Sequence, residues 1–204
     1  TGKPPVTVRW VDVNKGDDIN PNIRSRLVAR QIRQPGEEAI FAPTPPLESL
    51  RTILSLAATD ITGRRRHVRD PRSEQRTQIS AIDISRAYFN ASMEEGSEPT
   101  YVCLPPEHPG QAKGQCGLLL KHMYGTRAAA DGWQQEYSGF MKHIGFVQGE
   151  ASPCIFVHEN RGIACSVHGD DFTSTGPKVG LDWLEAQLEG KYELRKGGRL
   201  GPGP

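Results

Sequence analysis

Few of the residues are hydrophobic, and the sequence has no long hydrophobic run. Only 36% of its 204 residues belong to hydrophobic types, and no stretch approaches the roughly 18 consecutive apolar residues of a transmembrane helix. The chain starts at Thr1 without an initiator Met and without the charged-then-apolar pattern of a secretory signal. We therefore expect a soluble intracellular protein with no membrane partner. We interpret the chain as one domain or two small subdomains of a longer polypeptide.

Cysteine is scarce, and its few copies are too far apart for a common zinc site. Cys103, Cys116, Cys154 and Cys165 form no CxxC pair, and no HxxxH segment accompanies them. Free cysteine is among the most often buried residue types. The four cysteines are therefore predicted to be reduced and mostly buried thiols.

The sequence also has almost no net charge, but its two halves differ. Residues 1–86 hold 15 Lys and Arg against 10 Asp and Glu, whereas residues 87–204 hold 10 against 14. This asymmetry is compatible with a basic half that binds a polyanion and an acidic half that carries a site.

The basic half contains an arginine-rich segment at residues 63–76. Its arginines are Arg64, Arg65, Arg66, Arg69, Arg72 and Arg76. Two interpretations stay open. The segment is an exposed charged linker, or it is a loop that contacts the phosphates of a nucleic acid.

Hydrophobic spacing predicts a mixture of helices and strands. Leucines at helical intervals after two prolines indicate a helix over 47–57, and similar stripes indicate helices over 129–145 and 181–188. β-branched residues predict a strand over 78–84. Arginines interleaved with apolar residues over 21–35 predict a strand or ribbon with one packed face and one charged face.

Two adjacent aspartates are predicted at the tip of a β-hairpin over 163–175. Gly169 suits the first central position of a tight type II′ turn, which places Asp170 and Asp171 at or beside the tip. By itself this Gly-Asp-Asp sequence fits a plain turn as well as a divalent-metal site. Asp83, near the end of another predicted strand, supplies a third carboxylate, and carboxylates from separate elements favour a metal site. In phosphoryl transfer, two Mg²⁺ ions held in this way assist both the attacking and the leaving oxygen.

Five ordered blocks of sequence carry a family resemblance. The blocks are residues 26–34 (RLVARQIRQ), 41–43 with 47–58 (FAP, LESLRTILSLAA), 83–90 (DISRAYFN), 124–133 (YGTRAAADGW) and 168–176 (HGDDFTSTG). Together they resemble the reverse transcriptases of copia-type long-terminal-repeat retrotransposons. The resemblance implies template-directed addition of deoxynucleotides to a primer 3′-hydroxyl. It also implies that Asp83, Asp170 and Asp171 hold two Mg²⁺ ions, with Mn²⁺ as an alternative metal.

The resemblance implies an α/β fold of the α+β type. Its parts are the fingers and palm of a right-hand polymerase, with an antiparallel palm sheet and helices packed mainly on one face. Residues 1–60 and 90–127 are assigned to the fingers, and residues 61–89 and 128–204 to the palm. Residues 197–204, rich in glycine and proline, are expected to be irregular and to precede the family's thumb.

The resemblance also assigns six residues to the binding of the incoming nucleotide: Tyr88, Arg24, Arg26, Arg30, Gly125 and Arg127. The tyrosine would act as a steric gate against the ribose 2′-hydroxyl, with a plain core aromatic as the alternative. The three arginines of the basic strand would hold the triphosphate. The glycine and the last arginine would line the nucleotide pocket, where a glycine allows close backbone approach.

The implied partners are an RNA or DNA template with its primer, deoxynucleoside triphosphates, and flanking protease, integrase and ribonuclease H segments of a polyprotein. The implied location is a cytoplasmic virus-like particle or the nucleus. Within the arginine-rich segment, Arg64, Arg65, Arg66 and Arg69 would steady the template-primer backbone.

Four positions depart from the family pattern and leave other functions open. His168 and Gly169 stand where the family usually has a tyrosine and a bulky residue, and Ala128 and Ala130 stand where glutamine and proline are usual. One alternative is therefore a catalytically decayed retroelement remnant that only binds nucleic acid. The other is a metal-dependent phosphohydrolase, which needs the carboxylates but no steric gate.

Overall fold

The computed structural model describes residues 2–32, 44–58, 77–94 and 96–201. The arginine-rich segment, with Arg64, Arg65, Arg66 and Arg69, lies outside the described residues. Its contact with nucleic acid therefore stays a prediction.

The chain divides into two compact units, and each is built from two separate stretches of sequence. The first unit comprises Thr1–Phe41 and Tyr88–Glu136, and the second comprises Ala42–Ala87 and Tyr137–Pro204. The assignment of fingers and palm to parts of the chain stays a prediction.

The described residues form ten β-strands and three α-helices. In chain order they are β1 (Val8–Asn14), β2 (Ile23–Ala29), α1 (Leu47–Ala58), β3 (Thr77–Ile84), β4 (Tyr101–Cys103), β5 (Cys116–Leu118), α2 (Ala129–His143), β6 (Val147–Gln148), β7 (Ile155–His158), β8 (Ile163–His168), β9 (Asp171–Pro177), α3 (Lys178–Glu189) and β10 (Leu194–Leu200). None of the helices in the described ranges is long and apolar enough to cross a membrane.

The second unit contains a six-stranded antiparallel sheet with the strand order β10-β3-β9-β8-β7-β6. Successive side chains of β3 project from opposite faces of the sheet. Ile82 and Ile84 are therefore buried on one face, while Ala81 and Asp83 are exposed on the other. This architecture confirms a mixed α+β fold with an antiparallel sheet.

The predicted helices are present, and the apolar stripes of α2 and α3 are buried. In α1 only Ile53 is buried, and the predicted stripe residues Leu47 and Leu54 are 56% and 41% exposed. Leu181, Leu184 and Leu188 of α3 are at most 1% exposed, and both α1 and α3 pack against strands β3 and β9. Helix α2 ends just before Gly145, whose positive φ of 97° stops it as predicted. Its Tyr137 ring packs edge to face against Phe172, within the core of the second unit.

The first unit contains two small antiparallel sheets, β1 with β2 and β4 with β5. The prediction of one packed face on the basic strand is wrong: in β2 only Ala29 is buried, and Ile23 is 58% exposed. Trp10 on the partner strand is 47% exposed. One face of a strand becomes buried only when another layer of structure packs on it. A two-stranded ribbon does not supply that layer by itself, so alternation alone does not produce a buried face.

Two further predictions need correction. Residues 197–200 are not irregular but belong to β10, which pairs with β3 through a bulge between Lys196 and Arg199. Gly197 and Gly198 lie within this bulge, and Gly198 has a positive φ of 97°. The four cysteines are reduced thiols as predicted, and Cys154 and Cys165 are buried, but Cys103 is half-buried and Cys116 is exposed.

Candidate functional site

The predicted hairpin is present, and its turn holds the adjacent aspartates. His168 pairs with Asp171 at the ends of β8 and β9, which leaves a two-residue loop of Gly169 and Asp170. Of these two central residues only Gly169 has a positive φ, 63°, as a type II′ turn requires. The local sequence therefore fixes this turn.

Strand β3 brings the third aspartate to the same place. In the β3–β9 register Asp83 lies directly opposite Asp171, so both side chains project from the same face of the sheet. Cβ atoms of such a pair are about 4.5 to 5.5 Å apart. The backbone N–H of Ile84 also donates a 2.8 Å hydrogen bond to the carbonyl oxygen of Asp170. The three predicted aspartates are thus neighbours at one end of the sheet.

A row of ionisable residues crosses four adjacent strands at this end. Arg195 pairs with Asp83, Asp83 with Asp171, and Asp171 with His168, and all four are exposed. The row places a guanidinium at one end of the carboxylate pair and an imidazole at the other. Sequence reasoning missed Arg195, because no strand was predicted around it.

The carboxylates repel one another. Although Asp171 reaches solvent, partial desolvation of its carboxylate is the largest cause that raises its pKa. The charges of Asp170 and Asp83 raise the pKa further, while His168 opposes the shift. This repulsion is the electrostatic condition that a divalent cation relieves.

This end of the sheet meets some requirements of a metal site but not all of them. Carboxylate oxygens from two strands and a turn are the donor type that Mg²⁺ prefers. Within the described ranges, however, no three His, Cys, Asp or Glu side chains form a group ready to hold one metal ion. The donor chemistry and the strand register therefore fit Mg²⁺, whereas the present side-chain positions do not complete a three-donor set.

The residues assigned to nucleotide binding all belong to the first unit. Tyr88, in a short 3₁₀ helix over Ala87–Asn90, packs against Tyr124 with ring centroids 4.5 Å apart. Phe89 approaches the same ring at 5.8 Å, and the guanidinium of Arg26 lies 5.8 Å from its centroid. Tyr124, missed as a site residue although it opens the 124–133 block, therefore joins Tyr88 to Arg26.

Gly125, next to Tyr124 in the sequence, packs against the backbone at the end of β2. Its φ is +84°, and a Cβ built on it would lie 1.9 Å from the carbonyl oxygen of Ala29. Two hydrogen bonds continue the contact: Gln31 N–H donates to the Gly125 carbonyl at 3.1 Å, and Arg127 N–H donates to Oε1 of Gln31 at 2.9 Å. Only glycine fits this approach without strain.

Arg24 and Arg30 are exposed on the same chain segment. Arg24 is opposite Val13 in the ribbon, and the Arg30 N–H donates to the Thr7 carbonyl at 2.8 Å. Of the three predicted triphosphate-binding arginines, Arg26 is the one that contacts the Tyr124 ring.

Comparison with known proteins gives a match along almost the whole chain. The model of the family "Reverse transcriptase (RNA-dependent DNA polymerase)" matches residues 1–201. The chain belongs to the reverse transcriptase family. It is also 27% identical, over 213 residues, to the "Retrovirus-related Pol polyprotein from transposon TNT 1-94" of Nicotiana tabacum. That match covers 98% of this chain but only 14% of the polyprotein.

These matches confirm the resemblance to retrotransposon reverse transcriptases that the five blocks predicted. In this reverse transcriptase domain the Asp83, Asp170 and Asp171 side chains belong to the second unit, and the six predicted nucleotide-binding residues belong to the first. Because the chain spans about a seventh of the polyprotein it matches, the activity of the whole protein is a proposal.

Proposed function

We propose that this reverse transcriptase domain adds deoxynucleotides to a primer 3′-hydroxyl under the direction of an RNA or DNA template. The observation that carries the proposal is the β3–β9 register, which pairs Asp83 with Asp171 beside the Gly169–Asp170 turn. Membership of an RNA-dependent DNA polymerase family supports the reaction class.

Three side chains would hold the metals of this reaction: Asp83, Asp170 and Asp171. When bound, two Mg²⁺ ions promote deprotonation of the attacking hydroxyl and neutralise charge on the leaving pyrophosphate. Arg195, beside Asp83 in the row, would position that carboxylate and offset part of the repulsion within the pair.

The first unit would bind the incoming nucleotide. Arg26, aided by Arg24 and Arg30, would hold the triphosphate, and Gly125 with Arg127 would line the pocket. Tyr88, supported by Tyr124, would exclude the ribose 2′-hydroxyl. The template-primer, flanking polyprotein segments, the arginine-rich segment and an intracellular location belong to the same proposal.

The test is a primer-extension assay with Mg²⁺, an RNA template and all four deoxynucleotides. We expect extended products from the wild type and none from Asp170→Asn. The unfolding curve of the variant should match that of the wild type. Release of inorganic phosphate without extension would instead identify a phosphohydrolase.

A second candidate function is nucleic-acid binding without catalysis. It is favoured by the incomplete three-donor set and by His168 at the position before the turn. In that case the wild type binds template-primer but extends nothing at any Mg²⁺ or Mn²⁺ concentration. Its binding would be largely electrostatic and would weaken about tenfold or more between 50 and 200 mM salt if two or more phosphates are contacted.

A further inference from the structure

Two of the free cysteines face each other across the small β4–β5 sheet of the first unit. Cys103 lies directly opposite Cys116 in the antiparallel register, so their side chains project from the same face. They are separated by 13 positions in the sequence, and nothing in the proposed reaction uses either thiol.

The hydrogen bonds around this pair identify it as a non-hydrogen-bonded pair. The Cys103 N–H points away from β5, because it donates to the Val6 carbonyl at 2.8 Å. The neighbouring Leu119 N–H donates to the Thr100 carbonyl at 2.9 Å, which sets the alternation of bonded and non-bonded pairs along the two strands. In a non-hydrogen-bonded pair the Cα atoms are about 4.5 Å apart, which lies within the range that a disulfide spans.

The same pair is accessible to reagents. Cys116 is exposed and Cys103 is half-buried, with its Sγ 3.8 Å from the Pro5 carbonyl oxygen that accepts its hydrogen bond. Cys154 and Cys165 differ, since both are buried and burial raises the pKa of each thiol, that of Cys165 to about 12. Cys103 and Cys116 therefore combine proximity with access.

We propose that Cys103 and Cys116 form a reversible intramolecular disulfide when the protein meets a small disulfide oxidant such as oxidised glutathione. The Cys116 thiolate attacks one sulfur of glutathione disulfide, which breaks that S–S bond and releases one glutathione thiol. The Cys103 thiolate then attacks the sulfur of Cys116 and releases the second. Two electrons pass to glutathione, and each cysteine loses one proton.

The disulfide closes the loop of residues 104–115. That loop also reaches the β1–β2 ribbon, because Nε1 of Trp10 donates a 3.2 Å hydrogen bond to Glu107. A crosslink at the base of the loop restricts the unfolded chain more than the folded one, so oxidation stabilises the first unit. The pair is thus a redox-modification site separate from the aspartates and from the nucleotide-binding residues.

Peptide mapping tests the proposal. The full chain is incubated with excess oxidised glutathione, denatured, alkylated with iodoacetamide and cut with trypsin. Because Lys113 lies between the two cysteines, an intramolecular disulfide joins the tryptic peptides 87–113 and 114–121. We expect this linked pair, alkylated Cys154 and Cys165, and a rise of the thermal midpoint of about 5 °C that dithiothreitol reverses.

The matched control is Cys116→Ser, an exposed substitution that leaves the fold intact and should give neither the linked peptides nor the thermal shift. Two results would overturn the proposal. One is a stable glutathione adduct on Cys116 with Cys103 still open to alkylation. The other is a disulfide that links separate chains instead of the two peptides of one chain.

Discussion

At the scale of single residues, Gly125 is a position of the first unit at which the backbone requires glycine. An added Cβ would approach the Ala29 carbonyl oxygen to 1.9 Å while the backbone stays at a φ of +84°. Gly125→Ala should therefore lower the free energy of unfolding by at least about 2 kcal/mol. Urea denaturation measures this loss.

The control for this prediction is Gly139→Ala. Gly139 lies in the interior of α2 with nothing within 4 Å of an added Cβ, so alanine should raise stability by about 0.5 to 1 kcal/mol. Equal effects of the two substitutions would contradict the assigned contact of Gly125 with Ala29.

Asp171 belongs to the candidate metal site, and its ionised carboxylate lowers the stability of the folded protein. Partial burial and the charges of Asp170 and Asp83 raise its pKa, so the folded protein holds the Asp171 proton to higher pH than the unfolded chain does. Folding stability therefore falls as pH rises through the window above the ordinary aspartate pKa of about 3.9. Asp171→Asn removes this cost.

We expect Asp171→Asn to be more stable than the wild type at about pH 7, by on the order of 0.5 kcal/mol, because solvent screens a partly exposed carboxylate. The difference should shrink below the ordinary aspartate pKa. Urea unfolding at both pH values measures it, and a variant that is less stable at about pH 7 would show that the carboxylates do not repel.

Tyr88 tests the proposed steric gate. Tyr88→Val removes bulk without removing a metal ligand, so ribonucleotide incorporation should rise while deoxynucleotide incorporation stays largely intact. Phe89→Val is a suitable control, since Phe89 contacts the same Tyr124 ring. Single-nucleotide incorporation rates decide the matter, and a parallel loss with both nucleotide types would assign Tyr88 to the core.

At the scale of elements, an ionic network joins β10 and β3 to α3. The Glu185 carboxylate accepts hydrogen bonds of 2.7 Å from both Arg199 and Ser80, and Lys196 lies 3.6 Å away. Burial alone would raise the pKa of Glu185, but these hydrogen bonds and positive charges outweigh it and lower the pKa. Its stabilisation is therefore present above the ordinary glutamate pKa and is lost as pH falls through the lowered value.

Glu185→Gln should cost about 1.5 to 3 kcal/mol near neutral pH, because charge-assisted hydrogen bonds are lost at a largely buried position. The variant should also lose part of the decline in stability of the wild type at acidic pH. Glu189→Gln, which removes a more exposed partner of Lys196, should cost no more than about 1 kcal/mol. Comparable losses for the two variants would rule out a central role for Glu185.

The elements differ in how far sequence alone predicts them. The Gly169–Asp170 turn follows from local chemistry, since a glycine at the first central position selects the type II′ turn. Strand β10 was missed because its glycines oppose a strand assignment, and the bulge and the Glu185 network that accommodate it are non-local. The pairing of Asp83 with Asp171 likewise joins two strands that are far apart in the sequence, and local patterns do not specify which strands become neighbours.

At the scale of the whole molecule, the family was predictable from the sequence, whereas the exact boundaries between the two compact units were not. Five ordered blocks indicated a reverse transcriptase, and the family match over residues 1–201 confirms it. One of the three boundaries between the units lies between Ala87 and Tyr88, inside the single block that holds both Asp83 and Tyr88. Contacts between distant stretches of chain decide such a boundary, so no local signal marks it.

The central claim is that the carboxylate pair of β3 and β9 serves DNA synthesis, and Asp83→Asn tests it most directly. Mg²⁺-dependent incorporation of a single deoxynucleotide should fall by about 10²-fold or more, since a metal ligand contributes several kcal/mol to transition-state stabilisation. The control is Asp182→Asn, which alters an exposed carboxylate in α3 that pairs with Lys178 and Arg199 and should retain activity within about twofold. If Asp83→Asn incorporates nucleotides as fast as this control, the account of the site is wrong.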